Sequence, residues 1–138
     1  MGVGLKLRSV TDEIGSSDFF HAFFSTVHHH LEEGEWGSAY PAIMKELYRG
    51  ELGEDRAVAA LVELKGITRR LRSLRPDQVV WDIEDLNAKP PWGDDISSDI
   101  TDLSNYFVTS TGRDLVGCLR ESLDLMVQRG GDLTVVEI

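Results

Sequence analysis

The chain has 138 residues, 41% of them apolar, and a formal net charge of −10 at pH 7. A chain of this size buries enough apolar surface to fold as one domain without disulfides or metals. The acidic balance repels nucleic-acid phosphates and anionic lipid headgroups, which disfavours direct binding to nucleic acid or to a membrane surface. The single cysteine, Cys118, excludes an intrachain disulfide and a zinc site built from cysteines.

The N-terminal residues MGVGLKLRSV lack the apolar segment of a signal peptide. No run of residues approaches the ~20 apolar residues that span a bilayer. We therefore expect a soluble, cytoplasmic protein.

Residues 3–8 alternate between apolar and polar side chains, which predicts a half-buried strand. The IGSS segment at 14–17 is typical of a turn, and Ser17 or Asp18 is the expected N-cap of a helix over residues 18–33. The apolar stripe of that helix recurs at helical spacing, at Phe20, Phe24, Val27 and Leu31.

Two more helices are expected in the centre of the chain. The first runs from Ser38 to Tyr48, with Pro41 near its start and Gly50 just past its end. The second is long and amphipathic, from Glu54 to about Leu74, and stops before the proline at position 76. Its apolar face is formed by Ala57, Leu61, Leu64, Ile67, Leu71 and Leu74.

The C-terminal half predicts further strands and one helix. QVVWDI at 78–83 should be a strand with Val79, Trp81 and Ile83 on one face, and YFVTS at 106–110 should be another. A final helix carries apolar residues from Leu115 to Met126 and ends at Gly130-Gly131. LTVVEI at 133–138 closes the chain as a β-branched strand.

The predicted order β-α-α-α-β-β-α-β indicates a single α+β domain over residues 1–138. About four helices should pack on a small, mostly antiparallel sheet of about four strands. The segment from Glu84 to Ser104 carries little pattern, and its length is unusual in a compact domain without a functional reason.

Carboxylates crowd this segment, which reads WDIED at 81–85 and KPPWGDDISSDITD at 89–102. An EF-hand is excluded, because alternate-position ligands and the required glycine are absent. An unorthodox calcium or magnesium site, a carboxylate pair for hydrolysis, and a solvated loop remain alternatives. The acidic side chains are Asp82, Glu84, Asp85, Asp94, Asp95, Asp99 and Asp102.

Other catalytic patterns are weak. His28 and Glu32 have a spacing that places two metal ligands on one helical face. The run His28-His29-His30 is better explained as partly exposed histidines near a helix C-terminus. Cys118 lies within the apolar repeat of the last helix, which indicates a buried structural thiol. The chain contains no GxSxG, P-loop or GxGxxG motif.

The tip Pro90-Pro91-Trp92 suits a binding surface, since tryptophan is a frequent interface anchor and prolines limit the entropy lost on docking. The alternative is that Trp92 folds back onto the core. Carboxylates around an anchor would steer a basic partner towards it. The candidate partner-binding residues are Glu84, Asp85, Trp92, Asp94, Asp95, Asp99 and Asp102.

Three segments resemble the bacterial Immunity protein 70 family of polymorphic toxin systems: residues 1–27, WGSAYPAIMKELYRGEL at 36–52, and the long segment from DQVVWDIED to STGRDL at 77–115. The resemblance implies a cytosolic antidote that binds and neutralises a cognate toxin, with no catalytic residue and no cofactor. Many such toxins are nucleases with a positive groove, which an acidic inhibitor would suit. The competing hypotheses are a small metal-dependent hydrolase using the 82–102 carboxylates and a homo-oligomeric module.

Overall fold

The computed structural model describes residues 2–138, and they begin with a β-hairpin. Strands β1 (Gly2–Leu7) and β2 (Val10–Ser16) pair antiparallel around the two-residue turn Arg8-Ser9, where Arg8 has a φ of 58°. The predicted turn at 14–17 is therefore wrong. Only Ile14 of β2 is buried, so this edge strand lacks the alternation that would have revealed it, and its pairing with β1 defines it instead.

Helix α1 (Ser17–Leu31) starts directly after β2. Its N-cap is Ser16, whose hydroxyl accepts a hydrogen bond from the Phe19 amide at 3.1 Å, so the prediction of Ser17 or Asp18 is one or two residues late. The predicted apolar stripe is confirmed. Phe23 and Phe24 are fully buried, and both Phe19 and Phe23 contact Phe107 edge to face.

The helix predicted from Ser38 begins later, as a π-helix over Ala42–Leu47. The preceding backbone is a loop whose amides at Gly37, Ala39 and Tyr40 bond to the Glu32 carboxylate, each at 3.0 Å. A two-residue strand, β3 (Glu51–Leu52), follows; a strand this short leaves no pattern in the sequence.

Helix α2 (Ala57–Leu71) is preceded by a 3-10 turn, Glu54–Arg56, and ends three residues before the predicted Leu74. The amides of Ser73 and Leu74 bond to carbonyls three residues back, which is the tighter turn common at helix ends. The predicted apolar face is largely buried.

The two strands predicted after α2 are wrong. A 3-10 turn occupies Pro76–Gln78, and the chain then runs irregularly to the start of the last helix, interrupted by one isolated bridge between Val108 and Asp114. In QVVWDI, the segment of the first predicted strand, the buried residue is Val80, whereas Val79 and Trp81 are only partly buried. Its amide and carbonyl both bond to the Thr26 side chain instead of to a neighbouring strand.

Helix α3 (Leu115–Arg129) and strand β4 (Leu133–Glu137) complete the domain as predicted. The four strands form one antiparallel sheet in the order β2-β1-β4-β3. The predicted α+β class is confirmed, although the chain order of elements differs. Sheet residues Leu5, Ile14 and Leu133 share one apolar core with the four helices.

The free edge of β2 is partly covered by residues 79–114, which we call the irregular segment. The Ser110 amide donates to the Ile14 carbonyl at 2.9 Å, and the Ser110 hydroxyl contacts the Glu13 carboxylate. Within residues 2–138, no helix is long and apolar enough to cross a membrane.

Candidate functional site

The acidic loop, which we define as residues 82–102, contains no helix or strand and is shaped by local turns. Side chains accept hydrogen bonds from amides two residues ahead: Asp82 from Glu84 at 2.9 Å and Asp85 from Asn87 at 3.1 Å. Such Asx turns hold a chain without a sheet or helix, which explains the abundance of aspartate and serine here.

The carboxylates of the acidic loop face solvent. Five of the six predicted partner-binding carboxylates are exposed, namely Glu84, Asp85, Asp94, Asp95 and Asp99. Asp102 is partly buried: burial alone would raise its pKa, but hydrogen bonds from Ser104 and Thr101 and the charge of Arg72 lower it below the ordinary value. The loop therefore presents a negative surface at neutral pH.

Trp92 lies against the body of the domain with part of its ring exposed. Its indole N–H donates to the Tyr106 hydroxyl at 2.8 Å, and its ring meets that of Trp81 edge to face at 5.3 Å. The side chain remains 37% exposed. Trp92 thus folds back onto the domain through one edge of its ring, while another edge remains accessible to a partner.

A cleft of about 580 Å³ runs beside the acidic loop. Its apolar lining includes Val79, Leu86, Ile96 and Tyr106, and its charged lining carries both signs: Arg75, Asp77, Lys89 and Asp94. Leu86 is 59% exposed. An apolar floor with charged walls suits the insertion of a side chain from another molecule.

A hydrogen-bonded cluster of His21, Tyr48 and Asp82 joins α1 to the start of the acidic loop. The His21 ring nitrogens lie 2.6 Å from the Tyr48 hydroxyl and 3.3 Å from the Asp82 carboxylate. Burial, together with the charges of Glu84 and Asp82, raises the pKa of Tyr48. That direction opposes phenolate formation at Tyr48, and the hydrogen bonds of the cluster hold the start of the acidic loop against α1.

No sequence pattern indicates this cluster, because Tyr48 and Asp82 lie 27 and 61 residues from His21. The histidine run follows the expectation of a helix C-terminus: all three residues occupy the last turn of α1. His28 bonds to Glu32 at 3.0 Å, and His30 lies 2.6 Å from the Gln78 carbonyl.

The sequence of the folded domain matches one known family. Residues 5–135 match the family model for Immunity protein 70. The chain belongs to the Immunity protein 70 family. A search of curated proteins and a search of solved structures found no match.

The match to Immunity protein 70 covers nearly all of this chain, including all the candidate partner-binding residues. Across the part of the domain that the structure describes, no group of three or more His, Cys, Asp or Glu side chains is arranged to hold a metal ion. Cys118 is buried in α3, and burial raises the pKa of its thiol, which disfavours the reactive thiolate.

Proposed function

We propose that this chain binds a cognate toxin domain and neutralises it stoichiometrically, without performing a chemical reaction. The observation that carries the proposal is membership of the Immunity protein 70 family over residues 5–135. Inhibition by binding requires a shaped and charged surface, not an activated nucleophile or a metal.

We propose the acidic loop as part of the toxin-binding surface. Its exposed carboxylates occupy a segment fixed by Asx turns and by the hydroxyls of α1, so little order needs to be gained on docking. Trp92 adds an aromatic anchor whose orientation is set by the Tyr106 hydroxyl. A preorganised negative surface with an aromatic anchor suits fast recognition of a basic protein.

The cleft beside the acidic loop supplies the pocket that such an interface needs. Binding energy concentrates where a side chain of one protein fills a desolvated pocket of the other. A lysine or arginine of the toxin would place its aliphatic carbons on Val79 and Ile96 and pair its charge with Asp77 or Asp94, and not with Arg75 and Lys89, which also line the cleft. A toxin with a positive substrate groove, such as a nuclease, fits this chemistry.

The test uses the toxin domain encoded beside the gene for this chain. We expect the two proteins to co-purify in a one-to-one complex and co-expression to rescue cells from the toxin. Replacing Asp94, Asp95 and Asp99 with lysine should lower the association rate constant by about tenfold, because it reverses the charges that attract the partner. Surface plasmon resonance measures that rate.

A matched control replaces Glu35, Glu51 and Glu137 with lysine. These residues are exposed and lie outside the acidic loop, and the change in net charge is the same. Equal slowing by both variants would assign the effect to total charge and not to the loop. Absence of any complex, together with no rescue of cells, would refute toxin neutralisation itself.

A further inference from the structure

A positively charged cleft of about 350 Å³ lies between α2 and α3 on this acidic protein. Its lining includes Lys65 and Arg69 from α2, Arg72 at the C-cap of α2, and Arg120 from α3. All four side chains are exposed, and none forms a salt bridge with another described residue. Asp114 is the one carboxylate in the lining, so positive charge dominates it.

The cleft continues an unpartnered face of α2. Residues 58, 62, 65, 69 and 72 recur at steps of three and four, which places them on one side of a helix. Val58 and Val62 are 62% and 65% exposed. The face is therefore apolar in its first half and cationic in its second half, a combination suited to contact with a protein and not to a solvated surface alone.

The cleft adjoins the acidic loop. The Leu103 amide donates to the Leu74 carbonyl at 3.1 Å, just past the end of α2. The charge of Arg72 acts on Asp102, the last carboxylate of the loop. A standard protein interface buries about 1,600 Å² in total, with 20–30 residues on each side, so one partner can cover both surfaces.

We infer that the toxin domain contacts this basic cleft with an acidic surface patch while its basic surface contacts the acidic loop. The inference rests on the proposed function and specifies its partner. The toxin's binding surface is two-sided in charge, with positive and negative regions side by side. Arginine is well suited to the cleft side, because its guanidinium group donates two parallel hydrogen bonds to a carboxylate.

Opposite charges in adjacent regions fix the orientation of the complex. A rotated or shifted toxin would bring like charges together, which costs free energy. Acidic proteins without the neighbouring basic region would meet the negative loop and be repelled. The cleft thus contributes selectivity among toxins in addition to affinity.

The deciding experiment replaces Arg69, Arg72 and Arg120 with glutamate and measures the dissociation constant for the purified toxin domain. A uniformly basic toxin should bind this variant more tightly, since the chain becomes roughly six units more negative and attracts it more strongly. A two-sided toxin should bind it at least about tenfold more weakly. The two hypotheses therefore predict effects of opposite sign.

Two further variants keep the test interpretable. A glutamine version of the same triple change removes the charge without reversing it, and we expect a smaller loss of affinity in the same direction. The control replaces Lys6, Arg49 and Arg129 with glutamate, three exposed cations outside the cleft and the loop. The control should leave affinity unchanged or improve it. Circular dichroism and thermal denaturation check that each variant is folded.

The outcomes separate the inference from the proposed function. Binding of the wild type with unchanged or tighter binding of the cleft variants would overturn the inference and leave toxin neutralisation standing. Failure of the wild type to bind would remove both. Pyrophosphate added to the wild type is a probe for a small-anion site. A pyrophosphate-induced rise in melting temperature that the cleft variants lose, with their toxin affinity intact, would also overturn the inference.

Discussion

The Glu32 carboxylate binds backbone amides of the loop that precedes the π-helix, a loop with no helix or strand of its own. Its side chain is fully buried. One carboxylate oxygen accepts a hydrogen bond from the Gly37 amide, and the other accepts hydrogen bonds from the amides of Ala39 and Tyr40. His28 bonds to the first oxygen. Burial alone would raise the pKa of Glu32, but these hydrogen bonds hold it below the ordinary value of 4.5.

Replacing Glu32 with glutamine should lower the free energy of unfolding at pH 7 by about 2–3 kcal/mol. Glutamine keeps one acceptor oxygen but turns an NH₂ group towards the remaining amide donors, which leaves them unsatisfied. Denaturation with urea measures the loss. Glu33→Gln is the control, because Glu33 is the exposed neighbour and should change stability by no more than about 0.5 kcal/mol.

The same residue sets a pH dependence of known sign. A carboxyl group whose pKa is lower in the folded state stabilises the fold above its unfolded pKa, and that stabilisation is lost as the pH falls through the folded pKa. The stability difference between wild type and Glu32→Gln should therefore narrow as the pH drops below 4.5. A difference that stays constant from pH 7 to pH 3 would contradict this role.

At the scale of elements, α1 holds the irregular segment that follows α2. The Thr26 hydroxyl bonds to both the amide and the carbonyl of Val80, and the Ser25 hydroxyl accepts from the Ile83 amide at 3.1 Å. Both hydroxyl residues are fully buried on a helix. They supply to the segment the hydrogen bonds that a neighbouring strand would otherwise provide.

We expect Thr26→Val to destabilise the domain by about 1–3 kcal/mol, because the buried amide and carbonyl of Val80 lose their partner. Hydrogen exchange should accelerate at Val80 and Ile83 more than in β1 or β4. Thr68→Val is the matched control, since the Thr68 hydroxyl bonds only within α2. Uniform acceleration across the sheet would show that Thr26 acts on global stability and not on the loop.

These contacts explain which elements could be predicted from sequence. Helices α1, α2 and α3 show a sustained apolar period that tertiary contacts reinforce, so the sequence predicts their bounds to within a few residues. QVVWDI has strand-like residues and no strand, because its partners are side chains on α1, far away in sequence. The His21–Asp82 contact cannot be predicted either, because its two residues are 61 positions apart in the sequence. The exposure of the acidic loop, in contrast, follows from its composition alone.

At the scale of the whole molecule, the net charge of −10 should govern how fast the toxin is found. Salt shortens the screening length from roughly 14 Å at 0.05 M to roughly 4 Å at 0.5 M. We expect the association rate constant to fall by about tenfold or more over that range, with a smaller change in the dissociation rate constant. An association rate insensitive to salt would contradict recognition by charge.

The Ser110–Ile14 hydrogen bond gives the irregular segment a second role, which is to limit aggregation through the sheet edge. β2 is an edge strand, and an uncovered edge offers unpaired backbone groups to a strand of another molecule. By occupying the Ile14 carbonyl, Ser110 caps part of that edge. A change that loosens residues 106–110 should therefore expose a template for strand-to-strand aggregation before it unfolds the helices. The segment that carries the acidic loop therefore also guards one sheet edge against pairing with a second molecule.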